Sequence, residues 1–161
     1  MMLDEFEMTD ESLSFSLSIN YIYRWCDDLS TMRNFYTRLI GLDEGVFTDT
    51  KEYGFIEYIS NDLRMYILRG TEIEPQDAGW AKQPGYLKGD LERTSYTIKV
   101  PEAKYADVVR RLQEANVKSF QEKPTWLQDE YWSYIVQDPM GVTVELYMQP
   151  SRKPDDKVWH D

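Results

Sequence analysis

An excess of 29 acidic over 18 basic side chains gives this 161-residue chain a formal net charge of −11, which repels nucleic-acid phosphates and anionic membrane surfaces. With 42% hydrophobic and 29% charged residues it has the make-up of one globular domain, and no apolar run approaches the roughly 20 residues needed to cross a bilayer. The acidic start lacks the apolar stretch of a secretory signal and the one cysteine, Cys26, excludes an intrachain disulfide, so a cytoplasmic protein is expected, with neither nucleic acid nor membrane as partner.

Residues 1–14 form an acidic N-terminal extension. From 15 to 25 the chain alternates with period two, Leu17, Ile19, Tyr21, Tyr23 and Trp25 against Ser16, Ser18, Asn20, Ile22 and Arg24, which predicts a strand with its aromatic face buried. Asp28 or Ser30 can cap a helix whose Leu29, Met32, Phe35, Tyr36, Leu39 and Ile40 make one apolar stripe, and Gly41 ends it. Short strand-like runs follow at 45–49, 53–59 and 63–69, the last two joined by a turn signal at 60–62. Residues 15–69 thus read β-α-β-β-β.

Residues 70–92 are polar and dotted with Gly and Pro, a linker or a lid in which Trp80 and Tyr86 could close over a ligand. The first pattern then returns over 93–149. Thr94, Tyr96, Ile98 and Val100 alternate against Arg93, Ser95, Thr97 and Lys99; Pro101 opens a helix striped by Tyr105, Val108, Val109, Leu112 and Ala115; Asn116 can end it. Runs at 117–120, 131–137 and 142–148 supply three more strands, and the repeated order argues for a duplicated unit. A polar tail, 150–161, carries His160, the one histidine.

The most informative stretch is Asp138-Pro139-Met140-Gly141, a tight turn leading into a run where Val142, Val144, Leu146 and Met148 alternate against Thr143, Glu145, Tyr147 and Gln149. Glu145 is a lone carboxylate in mid-strand. It is either a solvated sheet residue or a group lining a cleft.

Asp28-Leu29, Phe35-Tyr36, Leu39-Ile40-Gly41-Leu42, Asp138-Pro139-Met140-Gly141 and Glu145-Leu146, in that order and within a duplicated unit, resemble the vicinal oxygen chelate superfamily of glyoxalases, bleomycin-resistance proteins and extradiol dioxygenases. The resemblance implies an α+β fold of two tandem βαβββ modules, a curved mixed sheet lining a cleft with the helices on its outer face, and commonly a homodimer. It also implies a divalent metal held from the first and fourth strands of each module, positions that fall here at Asn20 or Tyr21, Tyr66, Ser95 and Glu145. Counting back from Asp28 favours Tyr21, whereas the alternation favours Asn20. Of these side chains only Glu145 is a good ligand for such an ion, and a single histidine cannot build a two-histidine iron site, so neither metal nor other cofactor is expected.

If the alternation sets the faces, the cleft holds Ser18, Asn20, Ile22, Arg24, Arg64, Tyr66, Ser95, Thr97, Lys99, Ser133, Gln137, Glu145 and Tyr147, and Trp80 could close over it. The cations suit an anionic ligand, or else pair with Glu57 or Glu145. Two functional classes follow. One is a metal-free protein that binds a small aromatic or cationic molecule by stacking and acidic complementarity; the other is a lyase, isomerase or dioxygenase of the glyoxalase kind that uses Glu145 as a general base.

Overall fold

The computed structural model describes residues 19–61, 63–76 and 79–160. The acidic extension and the start of the first predicted strand, Ser18 included, lie outside them. In the first module β1 (Tyr21–Cys26) leads into α1 (Leu29–Arg33), which continues as a π-helical stretch, Asn34–Ile40, followed by β2 (Glu44–Asp49), β3 (Gly54–Ser60) and β4 (Leu63–Arg69). The second module has β5 (Ser95–Lys99), α2 (Glu102–Glu114), β6 (Thr125–Leu127), β7 (Tyr131–Gln137) and β8 (Thr143–Met148). The result is two four-stranded mixed sheets, ordered β1-β4-β3-β2 and β5-β8-β7-β6, in each of which the first strand lies parallel to the last.

Local chemistry explains the element ends. Asp28 caps α1, its carboxylate accepting the Ser30 and Thr31 amides at 3.0 and 3.2 Å. Gly41, at φ 92°, donates to the Tyr36 carbonyl at 3.0 Å and closes the π-helical stretch. In the β7–β8 turn one Asp138 carboxylate oxygen accepts both the Met140 and Val142 amides at 2.9 Å, which fixes where β8 begins.

Helix side chains Leu29, Met32, Phe35, Tyr36 and Ile40, and Tyr105, Val108, Val109 and Leu112, meet the helix-facing sides of the sheets in one continuous core. The modules are tied across that core: the Tyr36 hydroxyl donates to Asp138 Oδ2 at 2.8 Å and touches the Tyr96 hydroxyl, while Arg111 Nε donates to the Leu39 carbonyl at 2.9 Å.

Three expectations need correction. In β1 the aromatic residues are not buried: Tyr21, Tyr23 and Trp25 are 50, 57 and 54% exposed, and it is Ile22, Arg24 and Cys26 that face the helix. Alternation separates two faces without saying which is inside, and a cleft face can be as apolar as a core face. Second, 117–120 is not a strand. Only Ser119 bridges to Val136; after the break at 121–124 the chain rejoins β7 as the three-residue β6, with Thr125 opposite Ser133. Pro124, which lacks an amide donor, marks that break. Third, Ala115 is exposed, because α2 ends at Glu114 and Asn116 turns away at φ 53°.

Candidate functional site

Each sheet turns one face to its helix and the other, its cleft face, away from it. In the second module, strand pairing sets Thr97 and Ile135 on either side of Glu145, and Lys99 and Ser133 on either side of Tyr147. Glu145 therefore sits mid-sheet, and it is only 3% exposed, which removes the solvated-residue reading. Its Oε1 accepts the Ser133 hydroxyl at 2.6 Å. Burial raises the carboxyl above its ordinary value and the Ser133 hydrogen bond only partly opposes this. In turn, the Glu145 charge helps to push the nearby phenols of Tyr86, Tyr131 and Tyr105 upward, after burial in each case.

Segment 79–86 provides the roof. Gln137 Nε2 donates to the Gly79 carbonyl at 3.2 Å, the Ala81 amide to Thr143 Oγ1 at 2.9 Å, Gln83 Nε2 to Ser95 Oγ at 2.6 Å, and the Tyr86 hydroxyl to Ser133 Oγ at 3.0 Å. This strap covers the Ser95 and Gln137 side of the sheet. Beside it remains a cavity of about 450 Å³ lined by Pro84, Thr97, Gln128, Glu130, Tyr131, Glu145, Tyr147 and Gln149. Tyr131 and Tyr147 meet edge to face with centroids 5.8 Å apart, and Gln149 Nε2 donates to Glu130 at 3.0 Å. None of the lining side chains is basic.

Of the residues singled out from the sequence, Ser95, Thr97, Lys99, Glu145 and Tyr147 share this face; Thr97, Glu145 and Tyr147 line the cavity, and Ser95 lies under the strap. Tyr21, Arg64 and Tyr66 share the cleft face of the first module, where Tyr21 stands opposite Arg64 and Tyr23 opposite Tyr66. This settles the register in favour of Tyr21; Asn20 precedes the strand and its carbonyl accepts the Arg64 amide at 2.8 Å. Arg24 points to the core instead, 3.6 Å from Asp138 and over the Tyr96 ring. Trp80 stands edge-on to Phe120 and lines a separate cavity of about 600 Å³ with Tyr86, Leu87 and Lys88. The alternation could have singled out Tyr131, two residues before Ser133 on β7. Glu130, Gln128 and Pro84 come from turns and the strap, where no periodicity exists to find them.

The four positions at which the resemblance places a metal do not fit one. Tyr66 donates to Glu57 at 2.9 Å, Ser95 accepts from Gln83, and the Tyr21 ring packs against those of Tyr23 and Tyr66. Among the described residues no group of three or more His, Cys, Asp or Glu is placed to hold an ion.

No family model matches the chain, and no curated protein resembles it in sequence. Solved structures do resemble it in three dimensions. A glyoxalase/dioxygenase from Nostoc punctiforme matches with a TM-score of 0.60 at 16% identity, over 83% of this chain and 92% of that one. FosX, a genomically encoded fosfomycin resistance protein from Listeria monocytogenes, matches with a TM-score of 0.58 at 13% identity, over 85% of this chain and 97% of that one. The fold is that of the glyoxalase and bleomycin-resistance proteins. Lactoylglutathione lyase from Agrobacterium tumefaciens, another structure with this fold, matches with a TM-score of 0.53 at 17% identity, over 81 and 92% of the two chains. A variant of the Listeria protein was solved with Mn(II) and 1S,2S-dihydroxypropylphosphonic acid.

Proposed function

We propose that the second module binds a small organic cation in the cavity over Glu145. One observation carries this reading: a buried carboxylate whose hydrogen bond comes from a neutral hydroxyl, with Glu130 and two tyrosine rings around it and no basic side chain in the lining. An ionised Glu145 without a counter-ion is costly there, and a ligand cation supplies one while its apolar part rests on Tyr131 and Tyr147. The anionic-ligand alternative keeps one of its three cations, since Arg24 faces Asp138 and Arg64 pairs with Glu57 at 2.6 Å, while Lys99 stands beside Tyr147 outside the cavity lining. Binding in this form uses no transition metal.

The test is a thermal-shift and calorimetric comparison of benzyltrimethylammonium with benzoate. The cation should stabilise the protein and bind, and Glu145→Gln should weaken both effects, the affinity by about tenfold or more; stabilisation by benzoate alone, or cation binding indifferent to Glu145→Gln, would contradict the proposal.

A second reading makes Glu145 a general base. Its raised carboxyl pKa and its place on a cavity floor favour this. Turnover of a carbon acid, lost in Glu145→Gln with ligand binding retained, would separate it from simple binding. The protein is further proposed to be a homodimer, because among the described residues β1 pairs only with β4 and leaves its outer edge and the Tyr21, Tyr23 and Trp25 rings open. Light scattering should give twice the 19.2 kDa chain mass, and a value near 19.2 kDa would overturn the dimer.

A further inference from the structure

The strap does more than roof the cavity. Its Tyr86 belongs to a run of hydrogen bonds in which every donor points the same way. Gln121 Nε2 donates to Tyr86 Oη at 3.0 Å, Tyr86 Oη donates to Ser133 Oγ at 3.0 Å, and Ser133 Oγ donates to Glu145 Oε1 at 2.6 Å. The direction follows from the ends. An amide N–H can only donate, a carboxylate oxygen can only accept, and each hydroxyl between them takes one bond and gives one. Gln121 is itself held by a second bond from the same nitrogen to the Ser133 carbonyl at 3.0 Å. The run starts at the wall of one cavity, which Tyr86 lines with Trp80 and Phe120, and finishes on the floor of the other.

We infer that Tyr86 is a positioning residue of the Glu145 site: through Ser133 it fixes the carboxylate and strengthens the one hydrogen bond that carboxylate receives among the described residues. The inference rests on the reading of Glu145 as the working group of the cavity. A hydroxyl that accepts a hydrogen bond becomes a better donor, so Tyr86 makes Ser133 a stronger partner for the ionised form of Glu145. In its absence Ser133 is free to rotate, and the carboxylate loses both its orientation and part of its stabilisation. The ring of Tyr86 is itself held edge-on against Phe120 at 5.3 Å, so the hydroxyl is delivered from a fixed direction. The other anchors of the strap, Ala81 on Thr143 and Gln83 on Ser95, do not reach Glu145, so the strap has one arm addressed to the acid and others that hold it to the sheet. The remaining groups that face Glu145 are Tyr131 on β7, Tyr105 beneath the sheet on α2, and Glu130 and Tyr147 around the cavity, with Lys99 beyond Thr97 on β5.

The experiment is an NMR titration of the Glu145 side-chain carboxyl carbon in the full chain, which needs no ligand. Ser133→Ala should raise the Glu145 midpoint, since it removes the bond that favours the charged form. Tyr86→Phe keeps the ring and its packing on Phe120, and should move the midpoint the same way by a smaller amount. Gln83→Ala cuts a different anchor of the strap and should leave it in place. An unchanged midpoint in Tyr86→Phe, or an equal shift in Gln83→Ala, would overturn the inference by reducing Tyr86 to a generic strap contact. Should Tyr86→Phe not fold, Gln121→Met removes the first donor of the run, and the same upward direction is expected, with no shift counting against the inference. Failure of benzyltrimethylammonium to bind would instead sink the ligand reading, and an upward shift in Tyr86→Phe would still support the positioning role.

Discussion

The two modules repeat one backbone plan but treat their buried carboxylates in opposite ways. In the first, Glu57 lies on the cleft face and receives a cation and a phenol, Arg64 at 2.6 Å and Tyr66 at 2.9 Å, which hold its carboxyl below the ordinary value, Arg64 first. In the second, Glu145 lies beside a strap, receives the neutral Ser133 hydroxyl, and is held above the ordinary value by burial. The first sheet meanwhile leaves Tyr21, Tyr23 and Trp25 open, whereas the second is roofed by residues 79–86. A carboxylate satisfied by its own Arg has no vacancy for a ligand cation; one satisfied by a hydroxyl does.

The comparison can be broken most severely by making the second module resemble the first. Thr97 stands beside Glu145 on β5 and is exposed, so Thr97→Arg would supply the counter-ion that Arg64 gives Glu57. It should abolish cation binding, by removing the vacancy and adding repulsion, and should bring the Glu145 carboxyl below its ordinary value in an NMR titration. Next in size is Glu145→Gln. The attraction between two unit charges about 4 Å apart near a protein surface is roughly 4 kcal/mol before desolvation, so cation affinity measured by calorimetry should fall about tenfold or more, while thermal stability stays near wild type or rises because a buried charge has gone.

A smaller effect is expected in the pH dependence of stability, and its sign should differ between the modules. Glu145 has a raised folded value, so its contribution is fully present below the ordinary value of 4.5 and is lost as pH rises through the raised one. Glu57 has a lowered value, so its contribution is present above 4.5 and is lost as pH falls through the lowered one. Urea melts across this range should therefore give wild-type-minus-variant differences that slope in opposite directions for Glu145→Gln and Glu57→Gln. The smallest effect belongs to Trp80→Ala: Trp80 packs on Phe120 away from the cavity over Glu145, so cation affinity should stay within about twofold of wild type, well inside the roughly 1.4 kcal/mol that a tenfold change represents.

Much of the architecture was legible in the sequence because it follows from local rules. The stripe on α1, the Asp28 cap, the Gly41 stop and the alternation of β8 each arise from residues a few positions apart, and duplication doubled the signal. The inside of β1 was not legible, since Tyr21, Tyr23 and Trp25 look like core residues when the cleft is out of view. Nor was β6, three residues long and separated by Pro124 from the 117–120 run that resembled a strand more closely. For the site, alternation brought Thr97, Glu145 and Tyr147 to one face, yet the Ser133 hydroxyl that meets Glu145 is itself held by Tyr86 of the strap. The bonds from Ala81 to Thr143 and from Tyr86 to Ser133 span 62 and 47 residues, and no periodicity encodes a contact between a loop and a sheet.

The central claim is that a ligand cation supplies the charge partner Glu145 lacks. Its most direct test is the Glu145 carboxyl carbon titrated by NMR with and without saturating benzyltrimethylammonium. A cation seated over the carboxylate favours the ionised form, so the midpoint should start above the ordinary 4.5 and fall when the cation is added. A midpoint that stays put while the cation binds elsewhere, or one already at the ordinary value without ligand, would contradict the account.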